Sequence, residues 1–427
     1  MAAQTEDQFL LRPPPAKVRP VAAWNLFRSV STGVRPLAHS ADVKLNNPAL
    51  LTWARESVGY SVKDVADFMN KPVDTVLAWE CGDEAPTYKQ LKRFAYKVGR
   101  AVATLYLPSP PDDTSPPKDF RVMPDRGEDV FTPEAHIAFR ELECSVSQLQ
   151  LITGSLGQSL QLELPRWDGL TDATKRAAEL REHIGVTLET QLSWHNWHQA
   201  LNEWEWALLS KGVLTQVFRV PIDDVRAFSL IAEGIGGVGL NSNELAPGRV
   251  FSLFHEVAHL CLRRPGVSGE YGSAADLAQG ASARLERYCN RLAAEFLVPP
   301  KHPKVIAAVQ ELSDSFTREV ASRLARTFCV SKYVIARTAL ETGAVSPATY
   351  WTARERWEEQ DAQERAERAS GDGGPSWVTV QVSHHSKPFV LKVFDAVDVG
   401  ALSAHDAGEI LSVSPGKLEE ARAKALR

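Results

Sequence analysis

The chain has 427 residues, 48 Lys+Arg against 53 Asp+Glu, a formal net charge of −5 and a hydrophobic share of 44%. At roughly 100 to 200 residues per domain, that length suggests about two to four domains with ample core. The ordinary apolar and charged shares exclude wholesale disorder, collagen-like chains and coiled coils. The mildly acidic balance excludes a protein that coats nucleic acid by charge alone.

Five cysteines (Cys81, Cys144, Cys261, Cys289, Cys329) form no CxxC pair. An odd, widely spaced set does not read as a disulfide framework, so a reducing, cytoplasmic setting is expected. No run of about 18 consecutive apolar residues occurs, so no membrane partner is expected. The opening MAAQTEDQFLLRPPPAK has acidic residues and a proline run where a signal peptide needs a basic start and an apolar stretch.

In chain order, residues 1–43 read as a flexible extension around PPPAKVRP. Residues 44–107 follow as short helices: PALLTWARES, SVKDVADFM, a break at NKP, VDTVLAWE and TYKQLKRFAYKVGR. Each is short enough to depend on packing against the others. PSPPDDTSPPKD, residues 108–119, holds five prolines in twelve positions and reads as a linker. Residues 120–350 then begin with a helix capped by Thr132 and a second started by Thr171. A tryptophan-rich helix runs toward Gly212. The apolar runs VLTQVFRV, AFSLIAE and GVGLN predict a small sheet. Further helices are expected at about 247–262 and 282–297, with a pair over SDSFTREVASRLARTFCV and SKYVIARTALETG. Residues 351–375 read as a charged helix and a Gly-rich linker. Residues 376–427 alternate in SWVTVQVSHH and FVLKVFDAV and predict strands in a small C-terminal α+β module, for dimerisation or sensing or simply packing. The fold class expected is α+β, mostly helical.

The sharpest chemical signal is HExxH in the apolar frame FSLFHEVAHLCL. At 3.6 residues per turn, His255 and His259 lie one above the other on one helix face, so two imidazoles can hold one metal ion. Glu256 is displaced by about 100° and can reach a water at the metal without being a ligand. A zinc hydrolase needs this division between nitrogen ligands and a carboxylate base. In RLERYCNRLAAEFLVP, Glu286 and Asn290 stand one turn apart, so Glu286 can ligate while Asn290 orients a ligand. Glu295 competes as third ligand; Glu286 is preferred because a polar residue sits one turn beyond it. His384 and His385 fall in an expected strand and would point to opposite faces. His195 and His198 sit among core-building tryptophans.

These motifs resemble the ImmA/IrrE family of metallo-endopeptidases fused behind an XRE-type helix-turn-helix domain. The peptidase likeness rests on GVGLN, Arg249 with FSLFHEVAHL, ERYCNRLAAEFLVP and VSKYVIARTALETG, over roughly residues 119–350. The helix-turn-helix likeness rests on the stretch from WARESVGY to KQLKRFA, over about 48–107. The resemblance implies a gluzincin-like core, zinc held by His255, His259 and Glu286, and Glu256 as general base, with manganese as a substitute activating ion. It implies cleavage of a partner transcriptional repressor in stress response or mobile-element control. Tyr271, Tyr288, Tyr333 and Arg337 are candidates for stabilising the transition state.

One departure concerns DNA, a partner possible through residues 48–100. The expected recognition helix PVDTVLAWE has Asp74 and Glu80 and none of the Arg, Lys, Asn or Gln that read base edges best. Residues 44–100 hold nine Lys+Arg and seven Asp+Glu, a net charge of only about +2. This domain therefore has protein as an alternative partner, and Trp79 is expected in the core. The alternative functions are a DNA-binding regulator whose peptidase-like part senses metal or partner, and an interaction scaffold. A homo-oligomer stays open.

Overall fold

The structure is a computed structural model that describes residues 45–111, 131–222, 225–264, 267–268, 281–368 and 375–427. The expected N-terminal extension, most of the Pro-rich linker, the Gly-rich linker and Tyr271 lie outside the described residues. Contacts divide the chain into two compact units, one ending at Asp112 and the other running to Arg427.

The first unit holds α1 (Ala49–Glu56), α2 (Val62–Met69), α3 (Val73–Cys81) and α4 (Tyr88–Lys97). Capping fixes their starts. The Ser61 hydroxyl accepts the Asp64 backbone N–H while the Asp64 carboxylate accepts that of Ser61, and Thr87 and Gln90 do the same for α4. Asn70, left-handed at φ 54°, ends α2, and Pro72 opens α3, which accounts for the expected break. Leu50, Ala54, Val65, Val76, Trp79, Leu91 and Phe94 build the core. Glu80 also turns inward, where Arg55 Nε donates to it at 2.7 Å and Arg55 Nη2 at 2.9 Å. Of the two acids on α3, only Asp74 is on the surface.

In the second unit α5 (Pro133–Ser155) opens with Thr132 as N-cap, as expected. The next helix, α6 (Ala173–Ile184), is capped by Asp172 and not by Thr171. The carboxylate accepts the N–H groups of Thr174 and Lys175, which a residue one position earlier does not do here. After α7 (Leu188–Leu192) and α8 (Trp197–Leu209), the three apolar runs form β1 (Val213–Phe218), β2 (Ala227–Ala232) and β3 (Ile235–Asn241). With the two-residue β4 (Val267–Ser268) the sheet order is β1-β3-β2-β4. β1 runs parallel to β3, and β2 is antiparallel to both β3 and β4.

The sheet lies between helices. A Cβ on Gly237 would meet Leu142 and Val146 of α5, whereas one on Gly236 would meet Leu260 of α9 (Ala246–Cys261). Gly239 pairs with Phe228, and any side chain there would overlap the Phe228 ring, so GVGLN needs its second glycine for packing. α9 is buried nearly all round, as its apolar composition demands. It packs along α10 (Ala281–Leu297). Phe254 stacks on Phe296 with centroids 4.1 Å apart, and the fully buried Trp204 of α8 meets Phe254 edge-on at 4.7 Å. α11 (Pro303–Asp314), α12 (Arg318–Phe328), α13 (Lys332–Glu341) and α14 (Pro347–Arg368) complete this region.

The C-terminal segment corrects the expected strands. It is helical: α15 (Trp377–His385), α16 (Lys387–Asp398), α17 (Ala404–Ile410) and α18 (Leu418–Ala425). Val378, Val380 and Val382 mimic a strand alternation, but the buried set is Val378, Gln381, Val382 and His385, the i, i+3, i+4, i+7 face of a helix. β-branched residues lower helix propensity by only about 0.7 kcal/mol or less each, and packing overrides that. α15 lies against β1: His384 Nδ1 bonds the Val217 carbonyl at 2.8 Å, and His385 Nδ1 meets Gln216 Nε2 at 3.1 Å. The two histidines are thus in a helix and help cover an edge strand.

Glu205 of α8 is 4% exposed, and burial pushes its carboxyl up to about 8 against the opposing charges of Arg249 and Lys387. Between the ordinary carboxylate range, about 4.3, and this raised value, the unfolded chain gives up a proton that the native state keeps. Stability from this group therefore falls as pH rises through that window. Glu205→Gln is expected to remove the fall, gaining roughly 3–5 kcal/mol relative to wild type at pH 9 and little at pH 4 in urea unfolding.

Candidate metal centre

His255 and His259 come from α9 and Glu286 from the facing α10, so the helix–helix contact brings the three candidate ligands together. His255 Nε2 is 3.1 Å from Glu286 Oε2 and 3.1 Å from His259 Nε2, and His259 Nε2 is 3.3 Å from Glu286 Oε1. Ligands about 2.0–2.1 Å from a tetrahedral zinc ion stand about 3.3–3.4 Å from one another, so these separations fit one small cation. Among the described residues, His255, His259 and Glu286 are the group of this kind that could hold a metal ion.

The remaining ring nitrogens fix the imidazoles. His259 Nδ1 lies 3.0 Å from the Arg264 carbonyl, which can only accept, so Nδ1 carries the proton. His255 Nδ1 is 2.8 Å from Asn290 Oδ1, which sets the same tautomer. Two Nε2 lone pairs are thereby aimed at one point beside a carboxylate, a donor set that a cation satisfies.

The electrostatics agree. Burial should raise the Glu286 carboxyl, but the imidazoles of His255 and His259 beside it outweigh burial and hold the group well below the usual carboxylate range. Burial likewise opposes the charged form of His259, yet Cys289 and Glu286 beside it raise its pKa well above the usual imidazole value. The pocket concentrates negative charge around two imidazoles.

Glu256 is fully buried and faces the sheet. Ser229 Oγ on β2 donates to Glu256 Oε2 at 2.7 Å. Ser229 is a functional candidate that the sequence reading lacks. Its only signal is the alternation that sets it opposite Phe228, and the β2–β3 register is needed to show which helix it faces.

The other candidates lie in different surroundings. Glu295, nine residues after Glu286, falls on the opposite side of α10 and takes a 2.7 Å bond from Arg291 Nε. Tyr288 is half-buried and packs against the hydrophobic core. Tyr333 donates its hydroxyl to Asp361 at 2.8 Å, and Arg337 Nε donates to Glu341 at 2.7 Å. Among the described residues, Asn290 is the expected supporting residue that the geometry places directly on a histidine of the cluster.

Neither the curated proteins nor the solved structures contain a match to this chain. Residues 210–340, which include β1 to β3 and both helices of the cluster, match the Peptidase_M78 family model, described as an IrrE N-terminal-like domain. That match supports the ImmA/IrrE family and a metallopeptidase-like role for this segment of the chain.

Proposed function

We propose that this chain is a regulatory zinc-dependent endopeptidase whose substrate is a partner protein, a helix-turn-helix transcriptional repressor. The observation that carries the reading is the convergence of two tautomer-fixed Nε2 atoms and one carboxylate within 3.3 Å of each other. His255, His259 and Glu286 hold the ion, and Asn290 orients His255. A divalent ion bound there supplies Lewis-acid polarisation of a peptide carbonyl and acidifies a coordinated water.

The chain's own residues handle the proton. Glu256 accepts it from the attacking water at a carboxylate oxygen and delivers it to the departing amine nitrogen as the C–N bond breaks. Ser229 holds the other end of that carboxylate so that it does not rotate away. The first unit, read as an XRE-like helix-turn-helix domain, brings the repressor by protein contact, since α3 offers none of the Arg, Lys, Asn or Gln side chains that read base edges best. A cytoplasmic setting goes with this reading.

Incubation of the purified chain with helix-turn-helix repressors encoded beside its gene tests this function. Two discrete fragments are expected with zinc or manganese, and none after a chelator has stripped the ion. An intact repressor under every metal condition, with the ion bound, would leave a metal- or partner-sensing regulator as the better reading.

A further inference from the structure

We propose that the cavity between α6 and the chain leaving α10 binds a small molecule with a protonated amine on an apolar body, and that Glu295 holds the amine. This site does not depend on the peptidase reading.

α6 packs along α10, and a cavity of about 510 Å³ opens between α6 and the last turn of α10. Small-ligand pockets span about 300–1,000 Å³, so a molecule of about a dozen non-hydrogen atoms fits. Ala177, Ala178 and Gly185 line one side, and the lack of long side chains at these positions leaves the space. Pro299 and Pro300 line the other side. With no N–H and a fixed φ, they make that wall apolar and stiff.

Glu295 lines the cavity and is 7% exposed. Arg291 Nε donates to its Oε1 at 2.7 Å, while Oε2 has no hydrogen-bond partner among the described residues. A buried carboxylate oxygen without a donor is destabilising, and an N–H from a ligand would relieve that penalty. Glu295 is on the side of α10 away from Glu286, so this carboxylate is separate from the candidate metal centre.

The other charges around the cavity do not compete for the role. Arg181 donates through Nε to the Phe296 carbonyl at 3.0 Å, through Nη1 to the Val186 carbonyl at 3.0 Å and through Nη2 to Gln191 Oε1 at 2.8 Å. Its guanidinium is therefore committed to the protein. His302 Nδ1 accepts the Lys304 N–H, so Nε2 carries the proton and meets Glu189 Oε1 at 3.1 Å. Lys301 and Glu182 are exposed and of opposite sign. With His302 neutral, Glu182, Glu189 and Glu295 against Arg181 and Lys301 leave the lining at −1. Gly185, which ends α6, also lines the cavity, so the negative end of that helix dipole lies there. Both features favour a cationic head over an anionic one.

Tryptamine and indole-3-propionate test this, because they share an indole on a two-carbon arm and differ in the charge of the head. Calorimetric titration of the full chain at neutral pH is expected to give tryptamine a Kd on the order of 0.1–1 mM, with indole-3-propionate at least about tenfold weaker. Glu295→Gln keeps the side-chain shape and removes the charge, and is expected to weaken tryptamine by about 10–100-fold. Ala178→Phe fills the cavity from the other wall without touching the carboxylate, and should weaken tryptamine at least about tenfold. Tryptamine should also slow amide exchange over residues 181–189 in the wild-type chain. Absence of saturable tryptamine binding up to about 10 mM would overturn the proposal. Equal affinity for the two probes, or an unchanged tryptamine Kd in either folded variant, would do the same.

Discussion

Glu256→Gln is expected to reduce cleavage of the substrate by about 10²–10⁴-fold while leaving bound metal near wild type. The size follows from removing the group that accepts and returns the proton. Retention of metal follows because Glu256 is not one of the three converging ligands, and because glutamine keeps an oxygen for Ser229 Oγ, 2.7 Å away in the native protein. Single-turnover cleavage alongside metal content checks both halves. Cleavage at the native rate would remove Glu256 from the chemistry. Loss of metal in this variant would instead make it a ligand or show a disturbed α9.

The second large effect concerns the ligands. Zinc present at about 1,000 times its Kd should stabilise the wild-type chain by about 4 kcal/mol in thermal unfolding. His259→Ala and Glu286→Ala are expected to lose that metal-dependent gain. Asn290→Ala should stand between, with affinity about 10–100-fold weaker, because it only orients His255 through the 2.8 Å contact at Nδ1. That ranking separates ligand from support. A Glu286→Ala protein with the full zinc-dependent rise in Tm would reassign the third position, and Glu295 could not fill it from the far side of α10.

Much of this site was legible in the sequence because helices carry local information. The i, i+4 spacing puts His255 and His259 on one face without any knowledge of the fold, and the same spacing ties Glu286 to Asn290. Ser229 was not legible, since its meeting with Glu256 depends on strand register and on which face of the sheet α9 covers. Helix starts were readable where the cap is unambiguous, as at Thr132. They slipped by one residue where Thr171 and Asp172 compete.

The C-terminal segment shows how pattern reading fails. Alternating valines in WVTVQVSHH satisfy a period of two, and the helical face appears only once Gln381 and His385 count as buried, which needs β1 as their partner. The sequence reading also lacks the helix Pro303–Asp314, although His302 accepting the Lys304 N–H and Pro303 in the first turn are a helix start. Tertiary contact, and not propensity, decided the outcome at α15.

The central claim is that His255, His259 and Glu286 together hold one divalent ion. Elemental analysis after equilibration with zinc and removal of free metal tests it most directly. Near one equivalent per chain is expected for wild type and for Glu256→Gln, and near none for the His255→Ala/His259→Ala variant. Equal metal in all three proteins, or none in any folded one, would contradict the account.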